Sequence, residues 1–319
     1  MFTFISMRPY LVRRVLLIIP LIWGVVTSVF LVIHLLPGDP AAVLLGPFAT
    51  SDRETALRHM WGLDQPLLIQ YAHYLRNVAA GDFGTSFLTG APAAWQILSL
   101  LPYTIVLGVA ALAIAVGIGI PLGVTAAVRS ETPVDRLSLF LSLLLVSAPN
   151  FLVGIVLLIV FSGRLGWLPS IGAGSFAEPG SIILHAILPA LALSAGLLAY
   201  LTRITRTTLL SVLRDDYVRT ARAKGLARSA VVFRHALRNA LLPVLSILGI
   251  AVGELVGGTV VIETVFARPG IGSLLVNSVT GRDYVQVQAC VIVLAVSFVV
   301  MNLVTDLCYA VVDPRIQYR

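Results

Sequence analysis

At 319 residues, the chain is 58% hydrophobic and only 12% charged, with 22 Lys/Arg against 15 Asp/Glu for a formal net charge of +7. Soluble domains carry about 25% charged residues, so a water-soluble fold has no means of hiding this much apolar surface, and the mean hydropathy of +0.96 says the same. An integral membrane protein is expected, its length better counted in spans of about 20 residues than in soluble domains.

Six apolar segments follow one another, over Val15–Leu36, Leu100–Val128, Leu137–Phe161, Ile182–Tyr200, Leu241–Val265 and Val285–Val312. Each is long enough to cross a hydrocarbon core of about 30 Å, and the longer ones would tilt. Backbone groups in lipid must be satisfied within the segment, and the alternation of a membrane barrel is absent, so the segments are read as helices and the fold as all-α. Arg13 and Arg14 precede the first segment in the manner of a secretory signal, but its apolar run is too long and no small-residue cleavage site follows, so it is read as a retained helix.

Between the first two spans lies a long mixed-charge loop, Pro37–Ser99, with a short helix expected around Asp52–Trp61, where Asp52 is placed to cap the first turn. The next loop on that side, Gly163–Ser181, is rich in Gly and Pro, and the third, Ala267–Tyr284, opens with Ala-Arg-Pro-Gly-Ile-Gly, which reads as a turn. The chain divides into residues 1–99 (first helix and long loop), a core of residues 100–312, and a tail of residues 313–319. Placing the N-terminus inside assigns sixteen Lys/Arg to inner segments and six to outer ones (Arg53, Arg58, Arg76, Arg164, Arg268 and Arg282). The positive-inside rule then puts both termini in the cytoplasm.

Several chemistries are missing from the sequence. Lys224 is the only lysine and follows Ala223, so no Gly-Lys-Ser/Thr phosphate loop exists. His34, His59, His73, His185 and His235 are dispersed and Cys290 and Cys308 lack ligand spacing, so no metal, cofactor or catalytic residue is expected. Glu263 and Asp306 fall near span edges, where hydrogen-bonded interfacial roles are expected. Glu254 lies deeper, flanked by Gly253, Gly257 and Gly258, and either lines a polar pathway or pairs with a neighbouring helix.

The most polar stretch, Arg203–Arg238, holds nine basic residues against Asp215 and Asp216, a balance equal to the charge of the whole chain. A loop made basic for topology, a patch for anionic lipid and a docking helix all fit that charge. The order of residues favours the docking helix. Asp215 and Asp216 suit a helix N-terminus, Tyr217–Lys224 is helix-compatible, and Gly225 stands where a C′ glycine ends a helix. About two turns are too short to be stable alone and must be held by neighbours. A second helix-compatible run, Arg228–Asn239, leads into the fifth span.

The run Asp216-Tyr217-Val218-Arg219-Thr220-Ala221-Arg222-Ala223-Lys224-Gly225-Leu226, with Arg234-His235-Ala236-Leu237-Arg238-Asn239-Ala240-Leu241-Leu242-Pro243 after it, resembles the EAA-type loop of ABC importer permeases, most closely the dipeptide/oligopeptide (DppB/OppB-like) branch. Leu36-Pro37-Gly38-Asp39-Pro40, Gly62-Leu63-Asp64-Gln65-Pro66, Gly81-Asp82-Phe83-Gly84-Thr85-Ser86, Gly166-Trp167-Leu168-Pro169, Glu263-Thr264-Val265-Phe266 with Pro269-Gly270-Ile271-Gly272, and the ending Tyr309–Ile316 are similar to that branch, in the same order. The sequence departs from the general pattern where Glu-Ala-Ala is replaced by Arg219-Thr220-Ala221 and the downstream Ile-x-Leu-Pro by His235-Ala236-Leu237-Arg238.

The resemblance implies a six-helix permease of the type I (MetI-like) importer fold in the bacterial inner membrane. It implies a second, similar permease, one or two cytoplasmic ATP-binding subunits that hydrolyse ATP, and an extracytoplasmic solute-binding protein, with no nucleic acid. Asp216, Tyr217, Arg219, Thr220, Ala221, Lys224, Gly225, His235 and Asn239 are then the expected ATPase-coupling residues, and the chain itself is non-catalytic. Dipeptides or oligopeptides are the expected cargo, with nickel chelates, glutathione or a sugar-peptide conjugate as alternatives. An ion-driven secondary carrier would need repeated halves and midplane carboxylates.

Overall fold

A computed structural model describes the backbone of residues 3–35, 50–52, 55, 59 and 64–312. The Pro37–Pro40 motif, most of the Asp52–Trp61 helix, Gly62-Leu63, and the tail lie outside the described residues, as do the side chains of Asp306 and Cys308. The helices are α1 (Thr3–Leu35), α2 (Leu67–Ala79), α3 (Ala93–Val128), α4 (Pro133–Ser147), α5 (Asn150–Leu157, continued as a π-helical stretch to Arg164) and α6 (Pro179–Val212). Next come α7 (Asp216–Ala223), α8 (Leu237–Val265, entered through Arg228–Ala236), α9 (Ile271–Thr280) and α10 (Tyr284–Val312). Among the described residues, α3, α6 and Tyr284–Thr305 of α10 are long and apolar enough to cross a membrane, and α4 with α5 makes a fourth if the bent pair is one span. Helices α1 and α8 overlay the remaining two expected segments.

The core is built on α3 against α6. Leu107, Ala111, Ala115, Gly119, Gly123 and Ala127 recur every fourth residue of α3 and are all buried. Such a stripe of small side chains lets two backbones approach closely where no hydrophobic force drives helices together in lipid. A Cβ on Gly119 would lie 2.8 Å from the Leu198 carbonyl oxygen, and one on Gly123 would lie 2.6 Å from that of Thr202. Thr202 Oγ1 donates across the same contact to the Gly119 carbonyl (3.2 Å). Gly119 meets residues 198–201 and Gly123 meets residues 202–205, so the two helices run parallel.

Two parallel helices require the chain between them to return to the starting end, and α4 with α5 makes that return. The single helix expected over Leu137–Phe161 is instead two helices meeting at 107°. The physical reason is Pro149: its ring disfavours the α region for the residue before it, and Ala148 is extended (φ −89°, ψ 130°).

Glycines also set the approach of α8 to its neighbours. A Cβ on Gly253 would meet the Phe298 ring of α10 at 2.6 Å, and one on Gly258 would meet Leu193 of α6 at 2.8 Å, whereas Gly257 faces open space. The close approach expected around Glu254 is thus present at two of the three glycines. Gly249 meets Thr305 as Gly253 meets Phe298, so α10 runs antiparallel to α8. Its C-terminus therefore points to the end where α3 and α6 finish.

Replacing Gly123 with Leu should destabilise the protein by at least about 1–3 kcal/mol through overpacking. Gly117→Leu, on an open face of the same helix, should be tolerated. Thermal unfolding in detergent separates the two, and equal melting temperatures would contradict the α3–α6 contact described here.

Candidate functional site

Helix α7 is short and polar, with an acidic start and a glycine closure at its C-terminus. Asp215 stands at the N-cap position in extended conformation, and Asp216 lies in the first turn. At the C-terminus the amide of Leu226 donates to the Ala221 carbonyl (3.4 Å) and that of Gly225 to the Arg222 carbonyl (3.0 Å). With Gly225 at φ +78°, this is a Schellman closure in which glycine occupies the left-handed C′ position. The expected acidic start, two turns and terminating glycine are all present.

The helix is held by two side chains. Val218 and Ala221, three residues apart on one face, are buried in a cluster with Val124 and Ala127 of α3, Leu209 of α6, and Val231, Val232 and Ala236 of the run entering α8. Tyr217, flanking the same face, is latched by its hydroxyl, which accepts from Asn239 Nδ2 at 2.8 Å. Thr220 donates back to the Asp216 carbonyl (2.9 Å), and Arg219 reaches Asp216 at 3.3 Å on an exposed face. Arg219, Thr220, Arg222 and Lys224 all face outward. His235 is half-buried in the π-helical turn before α8 and is not brought into the latch.

The platform beneath α7 is tied by polar contacts that sequence reading did not single out. Asp135, in the first turn of α4, takes two hydrogen bonds from Arg206 of α6 (2.5 and 2.7 Å) and one from the Glu131 amide (2.9 Å). Arg228 donates to the Val128 carbonyl at the end of α3 (2.8 Å). The available signal was Val218 and Ala221 as the spaced apolar pair in an otherwise polar helix. For Asp135 and Arg206, 71 residues apart, no local pattern existed.

The Glu263 motif forms one structural unit at the opposite end of α8. Glu263 is fully buried. Its carboxylate accepts from Thr104 Oγ1 (2.7 Å) and the Ser273 amide (3.1 Å), while the Ile271 amide donates to Thr104 Oγ1 (2.9 Å). The Pro-Gly-Ile-Gly segment wraps around this carboxylate so closely that a Cβ on Gly270 would sit 2.2 Å from it. The hydrogen-bonded role expected for Glu263 is what the structure has. Arg268, expected as an outer-loop charge, is instead fully buried and donates to the His185 carbonyl (3.3 Å). The turn folds back under α9, the helix that replaces the loop expected there. Nearby, Ser86 of the Gly-Asp-Phe-Gly-Thr-Ser motif donates to Asp283 (2.5 Å), pinning the loop before α3 to the start of α10.

Glu254 lies on an exposed face of α8 and lines a cleft of about 410 Å³ with Asn150 of α5, Gly196 and Tyr200 of α6, and apolar neighbours. Pairing with a neighbouring helix, the alternative for Glu254, finds no ion pair among the described residues. The cleft and the α7 platform are separate features joined by α6 and α8. No cluster of three or more His, Cys, Asp or Glu that could hold a metal forms among the described residues.

Comparison with known proteins matches residues 119–318 to the family model described as binding-protein-dependent transport system inner membrane component, and residues 7–108 to its N-terminal counterpart. The chain is 42% identical over 313 residues, covering 98% of its own length and all of the relative's, to the glutathione transport system permease protein GsiC of Salmonella typhimurium strain LT2. The same figures hold for GsiC of Escherichia coli strain K12. Among solved structures, two inward-facing crystal forms of the MetNI methionine ABC transporter match with TM-scores of 0.53 and 0.56, at 18% and 17% identity, over 69% of this chain and 97% of theirs. That likeness extends to the fold.

Gly225→Val should open the C-terminal closure of α7 and cost about 1–2 kcal/mol locally, since a β-branched side chain resists the left-handed region. Hydrogen exchange of the amides of residues 221–226 should accelerate while those of α3 do not change. Equal acceleration throughout would mean that α7 is not an independently closed element.

Proposed function

The chain belongs to the binding-protein-dependent transport inner-membrane components, the permease subunits of ABC importers, and from that premise we propose that it forms half of a pathway for short peptides and couples that pathway through α7 to a cytoplasmic ATPase. The observation carrying this reading is the construction of α7: a two-turn helix closed by glycine at its C-terminus, its Val218 and Ala221 buried in one cluster with residues of α3, α6 and the run entering α8, and its polar residues turned outward. An element whose apolar face shares one buried cluster with the ends of α3 and α6 and the entry to α8 is placed to pass a push on its outer face to them.

Asp216, Tyr217, Arg219, Thr220, Ala221, Lys224, Gly225 and Asn239 are assigned to coupling, with His235 in the turn behind them. Some act in the seat and latch and others on the outward face. The cationic Arg219, where the general pattern has Glu, makes that face basic. The proposed arrangement is six spans with both termini cytoplasmic, the third broken at Pro149. It is supported by the parallel run of α3 and α6 and by the direction of α10, which ends on the side of the basic segment. Residues 1–99 then serve as the outer-facing module and residues 100–312 as the pathway core. A second permease, ATP-binding subunits and an extracytoplasmic binding protein complete the importer, and Glu254 faces the pathway between the permeases.

For cargo, dipeptides or oligopeptides are the first expectation and glutathione an alternative; the relatives named for glutathione transport favour that alternative.

Ala221→Asp places a carboxylate in the apolar seat of α7, and Gly225→Val opens its end. Both variants should insert and assemble yet lose at least about tenfold in ATP-driven uptake, a change of about 1.4 kcal/mol in coupling, while residual ATPase activity persists. Full transport in both would remove α7 from the coupling role.

A further inference from the structure

We propose that the Glu254 cleft is a transient binding site for the ammonium group of the cargo. This rests on the importer reading above and adds a chemical requirement to it: a free amine on the transported molecule.

The placement of Glu254 is unusual in three respects. It lies about 16 Å from the C-terminal end of α8 and about 20 Å from the start of the apolar run at Leu241, taking 1.5 Å per helical residue, and so close to mid-depth in a bilayer. A carboxylate at that depth is costly and is retained for a pathway or a partner. It is also the sole formally charged residue among those lining the cleft, where it stands with the amide of Asn150 and the ring of Tyr200. Finally, the volume of about 410 Å³ falls within the range of about 300–1,000 Å³ typical of small-molecule sites.

The walls are formed for access. Gly196 on α6 lies beneath the Asn150 side chain, whose Oδ1 would stand 3.5 Å from a Cβ there. Asn150 is itself positioned by donation to the Leu193 carbonyl (3.4 Å). Gly257, three residues beyond Glu254 on α8, has open space around it, with nothing within 4 Å of a Cβ placed there. A lone carboxylate with neutral hydrogen-bonding neighbours in an apolar-walled cleft favours a compact cation carrying several donors. An alkylammonium fits, whereas an anion would be repelled. Among the cargo classes considered, α-amino peptides and glutathione carry such a group and metal chelates need not.

The test is uptake by the assembled importer, in membranes, of a radiolabelled dipeptide with a free amine against its N-acetylated analogue, for wild type, Glu254→Gln and Glu254→Asp. Loss of one charge-assisted contact predicts that Glu254→Gln lowers uptake of the free-amine peptide about tenfold, with Glu254→Asp recovering part of it. The acetylated analogue should be carried poorly by wild type and no worse by Glu254→Gln. Equal losses for both cargoes, or loss of subunit co-purification, would assign Glu254 to assembly and overturn the ammonium site. Undiminished uptake of the free-amine peptide by Glu254→Gln would overturn it as well. The importer reading fails separately, if wild type shows no ATP-dependent uptake of any peptide.

Discussion

Helices in a bilayer gain little by burying apolar side chains against one another, because the lipid they leave is equally apolar. What holds α3 to α6 is therefore proximity itself: small residues every fourth position, two glycines that admit a carbonyl where a Cβ would stand, and one threonine hydroxyl bridging the gap. The rest of the molecule is referenced to that pair. The chain between them is forced to double back, α8 lies antiparallel along α6, and α3 and α6 finish side by side under α7.

The two elements proposed to be functional occupy the places where this scaffold is interrupted. At the basic end, α3 and α6 stop; Arg228 of the run entering α8 ties to Val128 of α3, and Asp135 of α4 ties to Arg206 of α6. Arg206 is the more exposed partner and Asp135 the more buried, so the pair is asymmetric. An arginine left alone there reaches water, whereas a carboxylate left alone does not. Midway along the scaffold, the break between α4 and α5 borders the cleft at Glu254, which Val146 of α4 and Asn150 of α5 both line. One scaffold thus supports a stiff element at its end and an opening at its middle.

Much of this was legible in the sequence because the signals were local. The small helix announced itself through its acidic start and terminal glycine, features set within ten residues of one another, and the apolar segments through composition alone. The buried Arg268 was not legible, since a charged residue next to Pro-Gly reads as loop. Only the fold shows that Glu263 gathers the turn around itself. The Asp135–Arg206 pair was hidden by its long separation in the chain. The bend was readable in principle from Pro149, but other prolines in this chain, such as Pro102 and Pro189, sit inside unbroken helices. A proline alone therefore does not announce whether neighbouring helices will hold the chain straight.

The break at Ala148–Pro149 carries one more implication. Two helix ends meet there, leaving the amides of Asn150 and Phe151 and the carbonyls preceding Ala148 outside any regular helical ladder, at a level where hydrocarbon offers no hydrogen bonds. Backbone of this kind persists only beside protein or water, and on the cleft side the molecule supplies a hollow, not a neighbour. The notch is thus polar backbone set in an apolar wall, placed there by Pro149 and independent of anything bound beside it.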